Sequence, residues 1–253
     1  MPYQYASERA DYSDLASGRV FYSLAGHPAF PVRLVSEIFQ RCLALRRLEG
    51  MDGRCVVYDP CCGAGYLLGV LGYLHRAEIG AAAGSDIDEK AVSVAAHNLG
   101  LLTSIGIMQR IAEIKNLLSL YGKESHQEAL RSAWAMHARI ASLEEQQPLV
   151  VKAFQASTLD ARSIGMQMGG WPVDIVITDV PYGQHSQWGG MAASGDSSSP
   201  VEMMLTALSG VLAPGGIVAV AANKLQKFRW EGYRRMQHFQ VGKRSTQILK
   251  WES

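Results

Sequence analysis

No apolar run in this sequence reaches the about 20 consecutive residues that a membrane-spanning helix needs. Cysteine is scarce: Cys42, Cys55, Cys61 and Cys62 are the whole complement. Their spacing matches no zinc pattern, and no further Cys or His pair completes one. No metal is therefore expected, and free thiols in a cytoplasmic protein are the simplest account. A surplus of one charge is missing too. Lys and Arg number 24, Asp and Glu 23, and the net charge is +1. That excludes a molecule that binds polyanions over its whole surface. The start, Met1-Pro2-Tyr3-Gln4, lacks the charged-then-apolar order of a secretion signal. No internal repeat is visible.

What is present suits one large domain. The 253 residues are 48% hydrophobic, enough to bury a core. Charge is unevenly spread: from Ala221 to the end there are eight Lys/Arg and two Asp/Glu. Two readings stand, a solvated hairpin or one positive face that meets nucleic acid. On the second, Lys224, Lys227, Arg229, Arg234, Arg235, Lys243 and Arg244 are candidates for phosphate contacts.

Periodicity predicts alternating strands and helices. Residues 1–50 read as an N-terminal extension and a helix over Val32 to Leu48, with Leu34, Val35, Ile38, Phe39, Cys42 and Leu45 on one face. Strands are expected at Arg54 to Tyr58, Ala81 to Ser85, Leu149 to Gln155, Val173 to Thr178 and Ile217 to Ala222. Helices are expected at Tyr66 to Arg76, Glu89 to Leu101 and Pro200 to Leu212. Residues 105–147 lack proline and strand signals, and predict a helical insertion broken near Gly122. Gly183 to Ser199, rich in Gly and Ser, reads as a loop. Residues 221–253 end in two basic strands that turn at Gly242-Lys243. Such alternation predicts a mostly parallel sheet covered on both faces, with ligands at the carboxyl ends of the strands.

Four clusters fall at those ends. The first is Asp59-Pro60-Cys61-Cys62-Gly63-Ala64-Gly65-Tyr66. Gly63 and Gly65 allow a tight turn, the helix start offers N–H groups to a carboxylate, and Asp59 suits an ammonium. Asp59 would repel a phosphate, and neither a third glycine nor a Gly-Lys-Ser/Thr follows. Together with Cys61, these residues fit the amino-acid half of S-adenosylmethionine. Asp86, 23 residues after Gly63, can take both ribose hydroxyls, and Ile87 can pack on adenine. Asp88 beside it reads as a helix cap. The third cluster, around Ser157, is placed to meet the adenine edge.

The fourth is Thr178-Asp179-Val180-Pro181-Tyr182-Gly183. It looks like the Asp-Pro-Pro-Tyr signature of methyltransferases acting on planar nitrogens, with Val180 replacing the first proline. A conjugated base nitrogen is a weak nucleophile. Asp179 can accept its proton, Pro181 stiffens the turn and Tyr182 can stack on the base. An ionised carboxylate is acceptor-only, so it can take both donors on the pairing edge of guanine. Trp188 either stacks on a flipped base or plugs the loop from below.

Over nearly the whole chain the sequence resembles the avilamycin-resistance ribosomal RNA guanine methyltransferases, the AviRa type. The resemblance rests on Ser13-Asp14-Leu15-Ala16, on Pro28 to Leu34, on Asp59 to Leu68 with its double cysteine, on Ser85-Asp86-Ile87-Asp88, on Tyr121-Gly122-Lys123, and on Thr178 to Gly183. Ser157 stands where the family pattern has aspartate, and Val180 where it has leucine. The resemblance implies a class I, Rossmann-like α/β methyltransferase domain over 1–253, with a mostly parallel seven-stranded sheet, an antiparallel C-terminal strand and the helical insertion. It implies methylation of a guanine ring nitrogen in large-subunit ribosomal RNA, free or in the subunit, with resistance to orthosomycins. A monomer is expected. The rival readings are a base methyltransferase of the N6/N2 type acting on DNA or transfer RNA, and a binding module that kept the fold without turnover.

Overall fold

The computed structural model describes residues 3–180, 199–222 and 231–252. After a 3-10 turn at Ser13–Leu15 come α1 (Val32–Leu48), β1 (Cys55–Asp59), α2 (Tyr66–Leu74), β2 (Ile79–Asp86) and α3 (Glu89–Gly100). A helical hairpin follows, α4 (Ser104–Tyr121) and α5 (Glu124–Leu143). Then come β3 (Val150–Gln155), α6 (Ala161–Met168), β4 (Val173–Asp179), α7 (Pro200–Ser209), β5 (Leu212–Ala222), β6 (Tyr233–Val241) and β7 (Arg244–Trp251).

The strands form one sheet in the order β3-β2-β1-β4-β5-β7-β6. The first five are parallel; β7 runs antiparallel to both β5 and β6. Side chains alternate between the two faces, as the two-residue repeat of a strand demands. On β5, Ile217, Ala219 and Ala221 join the core under α1, α2 and α3, whereas Val218, Val220 and Ala222 join the core under α6 and α7. The chain steps outward from β1 through β2 to β3, then returns to β4 on the other side of β1. The crevice between the ends of β1 and β4 is thus the topological switch point, where open α/β sheets hold ligands. Asp59 and Asp179 end those two strands.

Local chemistry explains the boundaries. The Asp88 side chain accepts from Lys90 N–H and starts α3; Thr103 accepts from Gly106 N–H and starts α4. Gly122 ends α4 in the left-handed region, at the expected break of the insertion. Ser199 and Glu202 form a capping box on α7.

Two expectations need correction. The helix expected from Pro200 to Leu212 stops at Ser209, and Leu212 already pairs with Val173 in β5. Pro214-Gly215-Gly216 is taken up as an irregularity in that pairing, which resumes at Ile175↔Ile217; proline is tolerated there because it need not donate to the ladder. The helix α6 was not expected at all. Asp160 caps it, accepting from Ser163 N–H at 3.0 Å.

The N-terminal segment lies on the body. Val20 and Phe21 are fully buried, and Phe30 is 5% exposed. No single helix among the described residues is long and apolar enough to cross a membrane. All four cysteines are free.

Candidate active site

Small residues on β2 bring the first turn close to the sheet. A methyl group on Gly84 would fall 2.9 Å from Cys62 Cβ and 2.8 Å from Leu68 Cδ1. The turn is pinned by Cys62 N–H donating to Ser85 O at 2.9 Å. It closes with Gly65 in the left-handed region (φ +71°) as the N-cap of α2. A side chain there would meet Ala95 Cα of α3 at 2.9 Å, so both torsion and space require glycine.

Asp59 is 2% exposed and accepts from Cys61 N–H at 3.1 Å. Burial pushes its carboxyl up to about 7; the Cys61 N–H and the Thr178 hydroxyl work against that rise, while Asp179 and Asp86 reinforce it. Among the described residues no cationic side chain forms an ion pair with Asp59. A buried carboxylate without a counter-charge is a site that a ligand cation stabilises.

Asp86 holds the two loops that flank it. It accepts from Gly63 N–H at 2.9 Å and from Asp88 N–H at 3.0 Å. Two of about four lone-pair positions on its carboxylate remain for a ligand. Ile87 beside it is 47% exposed, an open apolar face at the strand end. Ser157 Oγ accepts from Leu159 N–H at 3.3 Å. Cys61 lies against Asp59, whose charge, after burial, raises the thiol further.

Asp179 stands at the end of β4. Arg244 Nη1, at the start of β7, donates to its Oδ1 at 2.9 Å and Oδ2 at 2.7 Å. Burial raises the Asp179 carboxyl to about 6 and Arg244 opposes that rise. Asp59, Asp86 and Asp179 thus share one acidic crevice across three adjacent strands. Pro181, Tyr182, Trp188 and Lys224, with Lys227 and Arg229, lie outside the described residues.

A family model described as rRNA methyltransferase AviRa matches residues 1–244. The chain belongs to this family. A curated AviRa relative from Streptomyces viridochromogenes, named 23S rRNA (guanine(2535)-N(1))-methyltransferase, is 37% identical over 248 residues, covering 98% of this chain and 95% of its own. Two solved structures of rRNA methyltransferase AviRa from the same organism are similar over 99% of this chain and 96% of theirs. One has a TM-score of 0.86 at 36% identity, the other 0.85 at 37%. The AviRa match makes this chain a methyltransferase, a class that in general draws its methyl group from S-adenosylmethionine.

In this AviRa-family chain three contributors escaped the sequence reading, all on the side of the N-terminal segment. His27 stands over the turn between β1 and α2: a methyl group at Gly63 would fall 2.8 Å from its Nδ1. Asn98, fully buried on α3, accepts from Tyr22 N–H at 2.7 Å and donates to Tyr22 O at 3.0 Å and Ala64 O at 2.8 Å. It ties the segment to the turn. Phe30 lies under Arg244, its ring centroid 4.6 Å from the guanidinium carbon. The Pro-Ala-Phe-Pro run was visible as a motif, but nothing in its spacing points at residues 63 or 244.

Proposed function

We propose that this chain transfers a methyl group from S-adenosylmethionine to ring N1 of a guanine in 23S ribosomal RNA. The observation that carries the reading is the acceptor-only carboxylate of Asp179 at the switch point, in a chain whose relative over 98% of its length is named for that reaction. That name favours ribosomal RNA over the DNA and transfer RNA alternative.

The residues present fit the cofactor. The uncompensated Asp59 is suited to its ammonium, the start of α2 to its carboxylate, the open positions of Asp86 to its ribose hydroxyls, and the exposed Ile87 to its adenine. When bound, it supplies an electrophilic methyl on a sulfonium sulfur. Asp179 then accepts from N1–H and from the exocyclic amine of guanine. Taking the N1 proton onto Asp179 leaves the electron pair on the ring nitrogen, which makes that nitrogen the nucleophile. A carboxyl that titrates near 6 is ionised at neutral pH yet basic enough to share that proton. Pro181 and Tyr182 complete the reading as the stiff turn and the stacking face.

The test is transfer of labelled methyl to unmodified 23S RNA and to large subunits, followed by primer extension. A methyl at N1 blocks copying, so the expected result is a new stop next to one guanine. Label incorporation with full read-through would put the methyl elsewhere and overturn the N1 assignment.

The cofactor half makes a separate prediction. The ligand cation binds ionised Asp59, whose carboxyl in the free protein sits at about 7. Affinity for S-adenosylhomocysteine, which keeps the same ammonium, should be flat above pH 7 and fall about tenfold per unit below it. Asp59→Asn should lose both affinity and slope. Calorimetric titration from pH 5.5 to 8.5 measures this; a flat profile removes Asp59 from the ammonium contact.

A further inference from the structure

The two strands that close the sheet do more than cover its edge. Arg244 opens β7, beside Ser245, which pairs with Ala222 at the end of β5. From there its side chain crosses the end of β5 to β4, where both oxygens of Asp179 take Nη1–H, at 2.9 and 2.7 Å. The pair is shielded, with the two side chains 14% and 23% exposed. Its cation lies on the face of Phe30, itself 5% exposed and delivered by the N-terminal segment just before α1. Three remote parts of the chain thus meet at one carboxylate. The basic C-terminal strands had suggested Arg244 as a phosphate contact, but the geometry turns Nη1 inward.

We propose that Arg244, seated on Phe30, is a positioning residue that fixes the orientation of the Asp179 carboxylate and holds it as an anion for the incoming guanine. This rests on Asp179 as the group that takes the guanine proton. A carboxylate at a strand end has two free torsions, and a reacting base nitrogen must be held within about 3–3.5 Å of its partner. Two N–H···O contacts from one nitrogen remove that freedom. They use two of about four lone-pair positions and leave the rest for the two donors of guanine. The charge matters equally. Among the described residues, the charged groups around Asp179 are Arg244 from β7 and Asp59 from β1, with Asp86 of β2 on the far side of Asp59. Burial disfavours an anion at Asp179; Arg244 is the counter-charge that permits it. Phe30 adds a cation–π contact and keeps the guanidinium from swinging to solvent.

The test compares Arg244→Gln and Arg244→Lys with the native protein. The first readout is the titration of the Asp179 carboxyl carbon by NMR, on protein free of RNA and cofactor. The second is the single-turnover rate of methyl transfer to 23S RNA as a function of pH. In Arg244→Gln the carboxyl midpoint should rise from about 6 by about one to three units. The acid limb of the rate profile should move up by the same amount. The rate deficit at pH 7 should then shrink at pH 9, which general unfolding would not produce. Arg244→Lys should hold the midpoint near the native value and still lose rate at every pH, because an ammonium on a flexible stem does not stack on Phe30 as the planar guanidinium does. If Arg244→Gln does not fold, Arg244→Lys with native rates at every pH overturns the positioning role by itself. An unmoved midpoint and acid limb in Arg244→Gln, with weaker and less salt-sensitive RNA binding, would make Arg244 a phosphate contact and overturn the proposal. Asp179→Asn separates the two levels: if it keeps native transfer, the catalytic reading beneath fails, whereas an inactive Asp179→Asn beside an unmoved Arg244→Gln midpoint sinks this inference alone.

Discussion

Asp179→Asn is expected to lose methyl transfer by about 10²–10⁴-fold, the range that a positioned general base supplies. The substitution changes little volume but reverses the hydrogen-bond chemistry. An ionised carboxylate offers acceptors only; an amide offers one oxygen and two N–H donors. Guanine presents two adjacent donors on its pairing edge, so at least one would face a donor. The amide also cannot take the N1 proton at any working pH. Cofactor binding should survive, because Asp59 and Asp86 stand on other strands and Asp86 keeps its two backbone donors. Removal of the Asp179 charge should in fact ease ionisation of Asp59, since Asp179 is one of the groups that raise it. At pH 6 to 7 affinity for S-adenosylhomocysteine should therefore be held or slightly strengthened. Single-turnover transfer and calorimetry on the same preparation check both halves. Transfer within tenfold of the native rate would remove Asp179 from the chemistry.

The alternation of strands and helices was legible because it is a local property. Each parallel strand is a short apolar run, and each helix after it carries its own cap or apolar face. The turn between β1 and α2 was legible for the same reason: Asp59, Gly63, Gly65 and Asp86 are defined by position relative to two strands. Asp88 was read as a helix cap from local rules, and it does cap α3. What escaped depends on distance along the chain. Asp179 and Arg244 are 65 residues apart, Asn98 and Tyr22 76. Charge composition marked Arg244 as a surface cation because a sequence shows no partner. His27 and Phe30 escaped because a segment without periodicity gives no clue to the groove it fills. The helix α6 failed for a smaller reason: its eight residues include Gly165, and only two of its side chains, Ile164 and Met168, are buried.

The first residues of that N-terminal segment, Gln4 to Ala6, are clamped on α1 by one carboxylate, and the second large effect is expected there. Glu37 on α1 is fully buried. It accepts from the backbone N–H of Gln4 at 2.7 Å, Tyr5 at 2.8 Å and Ala6 at 2.7 Å, and from Arg41 Nε at 2.7 Å. Burial alone would raise its carboxyl, but the three N–H groups and Arg41 outweigh that and hold it below the ordinary value. Glu37→Gln leaves Arg41 with less counter-charge and turns amide N–H toward backbone N–H. A buried pair broken on one side costs about 3–5 kcal/mol. For a chain of this size that is a fall in Tm of about 6–20 °C at pH 7. The pH dependence fixes the sign. A carboxyl depressed in the folded state stabilises fully above its unfolded pKa of about 4.3, and that contribution is lost as pH falls through the folded value. The gap in Tm between native and variant should therefore narrow as pH drops from 5 toward 3. Melting curves across that range decide it: equal Tm values at pH 7 would mean that the clamp stabilises nothing. The same segment carries His27 and Phe30 to the crevice, so the variant should lose methyl transfer at temperatures where the far-UV signal of its sheet and helices is intact. If activity and that signal disappear together, the segment is no separate unit, and the site is held by the whole body rather than by the strap.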